Sequence, residues 1–168
     1  MVSQANSTAP VKTATVVILD FGAQYSQLIA RRVREADVYS EILPHDASWE
    51  AICAREPAAI VLTGGPESTL APGALGVDPR VFSSGIPVLG ICYGMQLMAR
   101  ELGGTLVRSQ HREFGAATLE VVVESPLFAG VAATSRAWMS HGDTIKTLPA
   151  GYNIIASTPE VAVAAFKI

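Results

Sequence analysis

Three short runs of apolar and β-branched residues, TVVILDF (15–21), AAIVL (58–62) and PVLGI (87–91), constrain this chain more than any other feature. A strand with one wet face alternates apolar and polar side chains. These runs do not alternate; all three read as strands, and TVVILDF as one buried on both faces. Helical spacing lies between and after them. In QYSQLIARRVREA (24–36), Leu28, Ile29, Val33 and Ala36 share one side, and Arg31, Arg32, Arg34 and Glu35 share the other. VYSEIL (38–43) reads as a second strand, and Ser48 is placed to cap a short helix over Trp49 to Arg55. Asp78 to Ser84 reads as another short helix. YGMQLMAREL (93–102) reads as a longer one, with Met95, Met98, Ala99 and Leu102 on its buried stripe and Gly103-Gly104 as its stop. Strand alternating with helix predicts an α/β fold: a mostly parallel central sheet with helices on both faces. After Gly104 the pattern changes. TLEVVVE (118–124), RAWMS (136–140), NIIAS (153–157) and VAVAAF (161–166) are strand-like, and helices are few. This half is expected to form a mixed or antiparallel C-terminal extension.

Composition narrows the function classes. With 168 residues, the chain is one domain long and can bury a sizeable core. Apolar residues make up 49%, which excludes disorder of the whole. A net charge of −3 speaks against a nucleic-acid binder, which would carry a basic surplus. No apolar run approaches the roughly 20 residues of a membrane helix. The polar, small-residue stretch MVSQANSTAPVKT (1–13) has no apolar core, so it reads as a disordered N-terminal tail rather than a signal peptide, with the domain at 14–168. Two cysteines, Cys53 and Cys92, cannot form a disulfide framework and suit a reducing compartment.

The sharpest candidate for chemistry is Gly90-Ile91-Cys92-Tyr93-Gly94, between a buried strand and a helix. A G-x-nucleophile-x-G turn is tight. Its glycines avoid collisions with the neighbouring strand and helix, and it lifts the central residue to the carboxyl end of the sheet. Cys92 would then sit at a helix N-terminus, where the macrodipole is expected to lower its pKa. The alternative is a small buried cysteine in an ordinary turn. Cys53, between Ile52 and Ala54 in a helix without a glycine frame, reads as structural. Gln96, one turn beyond Cys92, could offer an amide to a polar substrate or be an ordinary helix glutamine. Gly64-Gly65-Pro66 also ends at the carboxyl edge, where exposed N–H groups could form an oxyanion hole, or it is a plain turn. The cluster Ser140-His141-Gly142-Asp143 reads as a polar loop that could hold a zwitterion, or as a turn in which Asp143 caps the next segment. His45 and His111 read as exposed loop residues. No His and Cys pair has metal-ligand spacing, so no metal site is expected, and no dinucleotide or Walker glycine pattern is present.

Taken together, DFGAQYSQLIARRVRE (20–35), YSE (39–41), LTGGPEST (62–69), GICYGMQLMARELGG (90–104), REFG (112–115) and WMSHGD (138–143) resemble the glutamine amidotransferase domain of the GMP synthases, within the class I, triad-type amidotransferases. CYGMQ alone would indicate only the class; DFGAQY, GGPEST and WMSHGD point to the branch. The resemblance implies that Cys92 attacks the side-chain amide of L-glutamine to form a thioester and release ammonia. It assigns the oxyanion hole to the N–H groups of Gly65 and Tyr93. It assigns the glutamine head group to Gln96, Ser140, His141, Gly142 and Asp143. No cofactor is implied in this domain. ATP and magnesium belong to an ATP-pyrophosphatase (synthetase) domain of the same full-length protein, which would use the ammonia to convert XMP to GMP. A cytoplasmic location follows from the same resemblance, and a homodimer of the full-length enzyme is among its expectations. The family completes its triad with a His-Pro-Glu run, which this sequence does not contain, so the resemblance implies a domain incomplete at its C-terminus and nearly inactive alone. Rival readings are a glutaminase subunit serving anthranilate or carbamoyl-phosphate synthesis, a cysteine-elbow sensor or chaperone-like protein, and a pure binding module.

Overall fold

The computed structural model describes residues 14–168, without the side chains of residues 109–114 and His141. The expected tail at 1–13 therefore lies outside the described residues. The three apolar runs form β1 (Thr15–Asp20), β3 (Pro57–Leu62) and β4 (Val88–Gly90), joined by β2 (Tyr39–Pro44) in a parallel sheet of order β2-β1-β3-β4. Alternate side chains along β1 leave on opposite faces, so one strand feeds two cores. Val16 and Ile18 point to α1 (Ser26–Glu35), where they pack with Ile29, Ala30, Ile42 and Val61. Val17 and Leu19 point the other way, into the larger core with Ile60, Leu62, Phe21 and Tyr93. There α2 (Trp49–Cys53), α3 (Arg80–Ser83) and α4 (Tyr93–Glu101) contribute Ile52, Val81 and Leu97. Helices thus cover both faces of β1 and β3, while Leu89 of the edge strand β4 stays 40% exposed. Ser48 caps α2 by accepting from the Ala51 N–H at 3.2 Å. Gly103, at φ +95°, turns the chain out of α4 so that the Gly104 N–H reaches back to the Ala99 carbonyl at 2.7 Å.

The second half forms its own sheet rather than extending the first. β5 (Thr105–Val121), β6 (Thr134–Thr147), β7 (Asn153–Ser157) and β8 (Ala165–Lys167) are antiparallel in the order β6-β5-β7-β8. The other side of α4 seals the join: Met95 and Ala99 pack with Leu106, Ile145, Ile154, Val163 and Phe166.

Three sequence readings are corrected here. The strand expected at 118–124 begins at Thr105 and takes in the polar stretch around His111, so that residue's backbone lies in a strand, not a loop. The strand expected at 136–140 runs on to Thr147, which places Ser140–Asp143 in β6 and not in a polar loop. Both extensions are polar, and their strand structure rests on ladder pairing between the two, which apolar patterning does not report. Conversely, VAVAAF contributes only its end to β8, because Val161 and Val163 are buried by packing without joining a ladder. Among the described residues no helix is long and apolar enough to cross a membrane.

Candidate functional site

In the order β2-β1-β3-β4, the connections leave β1 and β3 on opposite sides, which opens a crevice at their carboxyl ends. Two turns line it. In the first, the Asp20 carboxylate accepts from the Gly22 and Ala23 N–H groups at 2.9 and 3.3 Å and from the Ser26 hydroxyl at 2.6 Å, folding DFGAQYS over the sheet edge. In the second, the buried Thr63 hydroxyl accepts from the Phe21 N–H at 3.1 Å and donates to the Gly64 carbonyl at 2.9 Å. This fixes the start of Gly64-Gly65-Pro66. A methyl group on Gly65 would lie 2.9 Å from the Phe21 carbonyl oxygen, so a side chain does not fit there.

The next strand delivers the cysteine into the crevice. Cys92 has φ +53° and ψ −108°, a left-handed conformation for a residue with a Cβ, at a cost of about 1–3 kcal/mol. The surroundings impose it. The Ile91 N–H is tied to the Leu62 carbonyl at 2.9 Å, and the Gly94 N–H to the Thr63 carbonyl at 3.0 Å. Both framing glycines are sterically required. A Cβ on Gly90 would stand 2.6 Å from the Gly94 carbonyl carbon and the Met95 nitrogen, and one on Gly94 would collide with the Leu62 carbonyl. The outcome is the sharp strand-to-helix elbow expected from the sequence, with the sulfur beside the glycine turn: a Cβ built on Gly64 would lie 3.9 Å from Sγ.

The third wall is β6. The Cys92 thiol faces the Ser140 carbonyl at 3.5 Å. Gln96, only 5% exposed, donates through Nε2 to the Asp143 carbonyl at 2.9 Å. The buried Asp143 carboxylate accepts from the Ser68 hydroxyl at 2.5 Å. An open cleft of about 1030 Å³ runs past these groups, with Gly64, Gly65, Cys92, Gln96, Ser140 and Asp143 in its lining.

The structure therefore brings together Cys92, Gly65, Tyr93, Gln96, Ser140 and Asp143. Gly142 lies in β6 between them with open space around it. The backbone of His141 pairs with Glu113 in the β5–β6 ladder, and its side chain lies outside the described ones.

The thiol does not behave as a cysteine at a helix N-terminus was expected to. Burial pushes the Cys92 pKa up, and the Tyr93 backbone N–H at the sulfur pulls it down by less. Desolvation of the anion outweighs that hydrogen bond and works against the thiolate. Cys53, read from sequence as a structural mid-helix residue, closes the short α2 and is exposed.

Two residues of this region carry contacts that the sequence reading missed. His45 is half-buried rather than exposed, with Nδ1 at 2.9 Å from the Gly76 carbonyl and its ring stacked on Phe21 at 5.3 Å. Its place just after β2, at the carboxyl edge of the sheet, was the available signal. Ser68 had none beyond its place in GGPEST, because its partner is 75 residues away.

Known proteins match this chain along most of its length. Residues 17–167 match the model of the family described as glutamine amidotransferase class-I. The chain is 58% identical over 153 residues to a GMP synthase (glutamine-hydrolyzing) of Syntrophomonas wolfei, covering 91% of this chain and 30% of that protein. It is 53% identical over 152 residues to the enzyme of the same name from a Parafrankia strain, covering 90% of this chain and 28% of the relative. The chain thus spans about 30% of the length of these relatives. Among solved structures, a putative GMP synthase subunit from Thermoplasma acidophilum superposes with a TM-score of 0.78 at 27% identity, over 92% of this chain and 78% of that one. A glutamine amidotransferase from Thermotoga maritima, at 21% identity and a TM-score of 0.72 over 92% of this chain and 71% of that one, shares the fold.

Proposed function

The chain belongs to the class I glutamine amidotransferases, and from that premise we propose that it is the glutaminase portion of a glutamine-hydrolysing GMP synthase. The observation that carries the reading is the convergence on one sulfur: Cys92 at φ +53°, the Gly64-Gly65 turn against it, and the β6 segment 140–143 facing it. In this reading Sγ attacks the side-chain amide carbon of L-glutamine. The negative charge that develops on the amide oxygen is taken by the backbone N–H groups of Gly65 and Tyr93, pre-oriented by turns that cannot relax. Collapse of the tetrahedral species, with the proton taken from the thiol passed to the leaving nitrogen, expels ammonia and leaves a γ-glutamyl thioester, and water then releases glutamate. The α-ammonium and carboxylate are held by Gln96 and the Ser140–Asp143 segment, Asp143 supplying the negative charge. The raised thiol pKa means that a proton acceptor has to act at Sγ. The ammonia serves a synthetase domain that holds ATP and magnesium and aminates XMP.

The test is affinity labelling with 6-diazo-5-oxo-L-norleucine, a glutamine-shaped electrophile, followed by peptide mapping. Labelling is expected on Cys92, with saturation kinetics and protection by L-glutamine. Iodoacetamide, which has no head group, is expected to favour the exposed Cys53. The same Cys92-to-Cys53 ratio with both reagents would overturn the reading.

A further inference from the structure

A side-chain hydrogen bond joins the glycine-turn loop to β6, and Ser68 makes it. Its hydroxyl oxygen accepts from the Leu70 N–H at 3.1 Å, closing a local turn. With that acceptor site engaged, the single hydroxyl proton is aimed at the Asp143 carboxylate, 2.5 Å away. Asp143 is in turn held through its backbone, because Gln96 donates to its carbonyl from α4. Three elements that the sequence keeps far apart therefore meet at one residue: the loop after β3 at the Asp143 carboxylate, the helix that starts at the cysteine at its backbone carbonyl, and the strand opposite the sulfur that carries it.

The rest of the loop is fastened as well. Arg100 Nη1 donates to the Thr69 carbonyl at 2.6 Å, the Tyr93 hydroxyl to the Leu75 carbonyl at 2.7 Å, and His45 Nδ1 lies 2.9 Å from the Gly76 carbonyl. Ser68 is thus presented from a loop pinned on its far side. Its hydroxyl acts as a fixed donor rather than a wandering surface group.

We propose that Ser68 is a positioning residue for glutamine: by fixing one oxygen of the Asp143 carboxylate, it leaves the other aimed at the substrate's α-ammonium. The inference rests on the glutaminase reading and deepens it. A free carboxylate at this position would rotate, and each rotamer lost on binding would reduce affinity. A donor already in place removes that freedom before the substrate arrives. Ser68 touches no reacting atom, so its influence is confined to the head group.

The experiment measures binding by calorimetry to the 168-residue chain in a Cys92→Ala background, which prevents turnover. L-Glutamine is compared with glutaramate, which has the same amide and carboxylate but no α-amino group. Ser68→Ala is expected to weaken L-glutamine about tenfold, the scale of one charge-assisted hydrogen bond, and to change glutaramate less than about twofold. Ser68→Thr, which keeps the hydroxyl, is expected to restore L-glutamine. The nearly isosteric Ser68→Val is not, and this pair preserves the contrast if the alanine variant does not fold. Equal losses for both ligands would show that Ser68 merely shapes the site, and no loss for either would show that it does nothing; each overturns the inference while leaving the glutaminase reading intact. Failure of the parent chain to bind L-glutamine would overturn both.

Discussion

Gln96 shows how one side chain can serve fold and site together. Its sequence position, four residues after Cys92, places it on the face that lines the cleft. Its structural partner is the backbone of β6, with the amide nitrogen donating to the Asp143 carbonyl at 2.9 Å in a buried setting. Removing the amide leaves a buried carbonyl without this donor. Gln96→Ala is therefore expected to lower unfolding free energy by about 1–3 kcal/mol, read from urea denaturation curves. An unchanged midpoint would show that water replaces the amide freely. From the sequence, Gln96 could offer an amide to a polar substrate or be an ordinary helix glutamine. The burial of its hydrogen bond adds a structural role that neither reading contains.

At the scale of the element, the strand-to-helix elbow is defined by what it excludes. A methyl group on Gly94 would run into the Leu62 carbonyl, and backbone on both sides is hydrogen-bonded in place. Neither β3 nor α4 can yield without breaking the sheet. Gly94→Ala is expected to destabilise the fold by several kcal/mol, in the range of severe overpacking, or to prevent folding. Gly76→Ala provides the contrast: its added methyl would meet nothing within 4 Å, and its backbone is not left-handed. That change is expected to be neutral or stabilising by up to about 1 kcal/mol through the unfolded chain. Thermal unfolding of the two variants checks the pair, and similar melting temperatures would contradict the steric account. Cys92 takes the same elbow from the other side. Its left-handed backbone is tolerated because the hydrogen bonds of Ile91 and Gly94 leave no other path.

For the whole molecule, the buried site ties stability to alkaline pH. Burial raises the Cys92 pKa above the ordinary thiol value of 9.0 and the Tyr93 pKa above the ordinary phenol value of 10.0. Both groups hold their protons more tightly folded than unfolded. The stability they contribute is complete below pH 9 and is lost as pH climbs through the ordinary values toward the raised ones, because the unfolded chain ionises first. Urea titrations from the neutral range into the alkaline one are expected to show falling stability, with a shallower fall in Cys92→Ala. An identical alkaline slope in the variant would show that the thiol is not coupled to folding.

The parallel half of the molecule was legible in the sequence because its signals are local. The unbroken run TVVILDF requires cover on both faces, glycines on either side of Cys92 require close packing, and Ser48 requires a helix to cap. The structure realises each of them close to where the sequence put it. The antiparallel half was only partly legible. Residues 105–117 and 141–147 are polar strands held by partners distant along the chain, as Thr105 is by Thr147, so no periodicity within either segment announces them. The site divides along the same line. Cys92, Gly65 and Gln96 could be singled out from turn and helix geometry encoded nearby, and Tyr93 through the family resemblance. That Asp143 reaches them from a strand rather than a loop, that Ser68 fastens it, and that burial raises the thiol pKa all depend on surfaces distant in sequence closing over one another. Desolvation and long-range hydrogen bonding exist only once that closure has happened, and it is the tertiary structure that decided them.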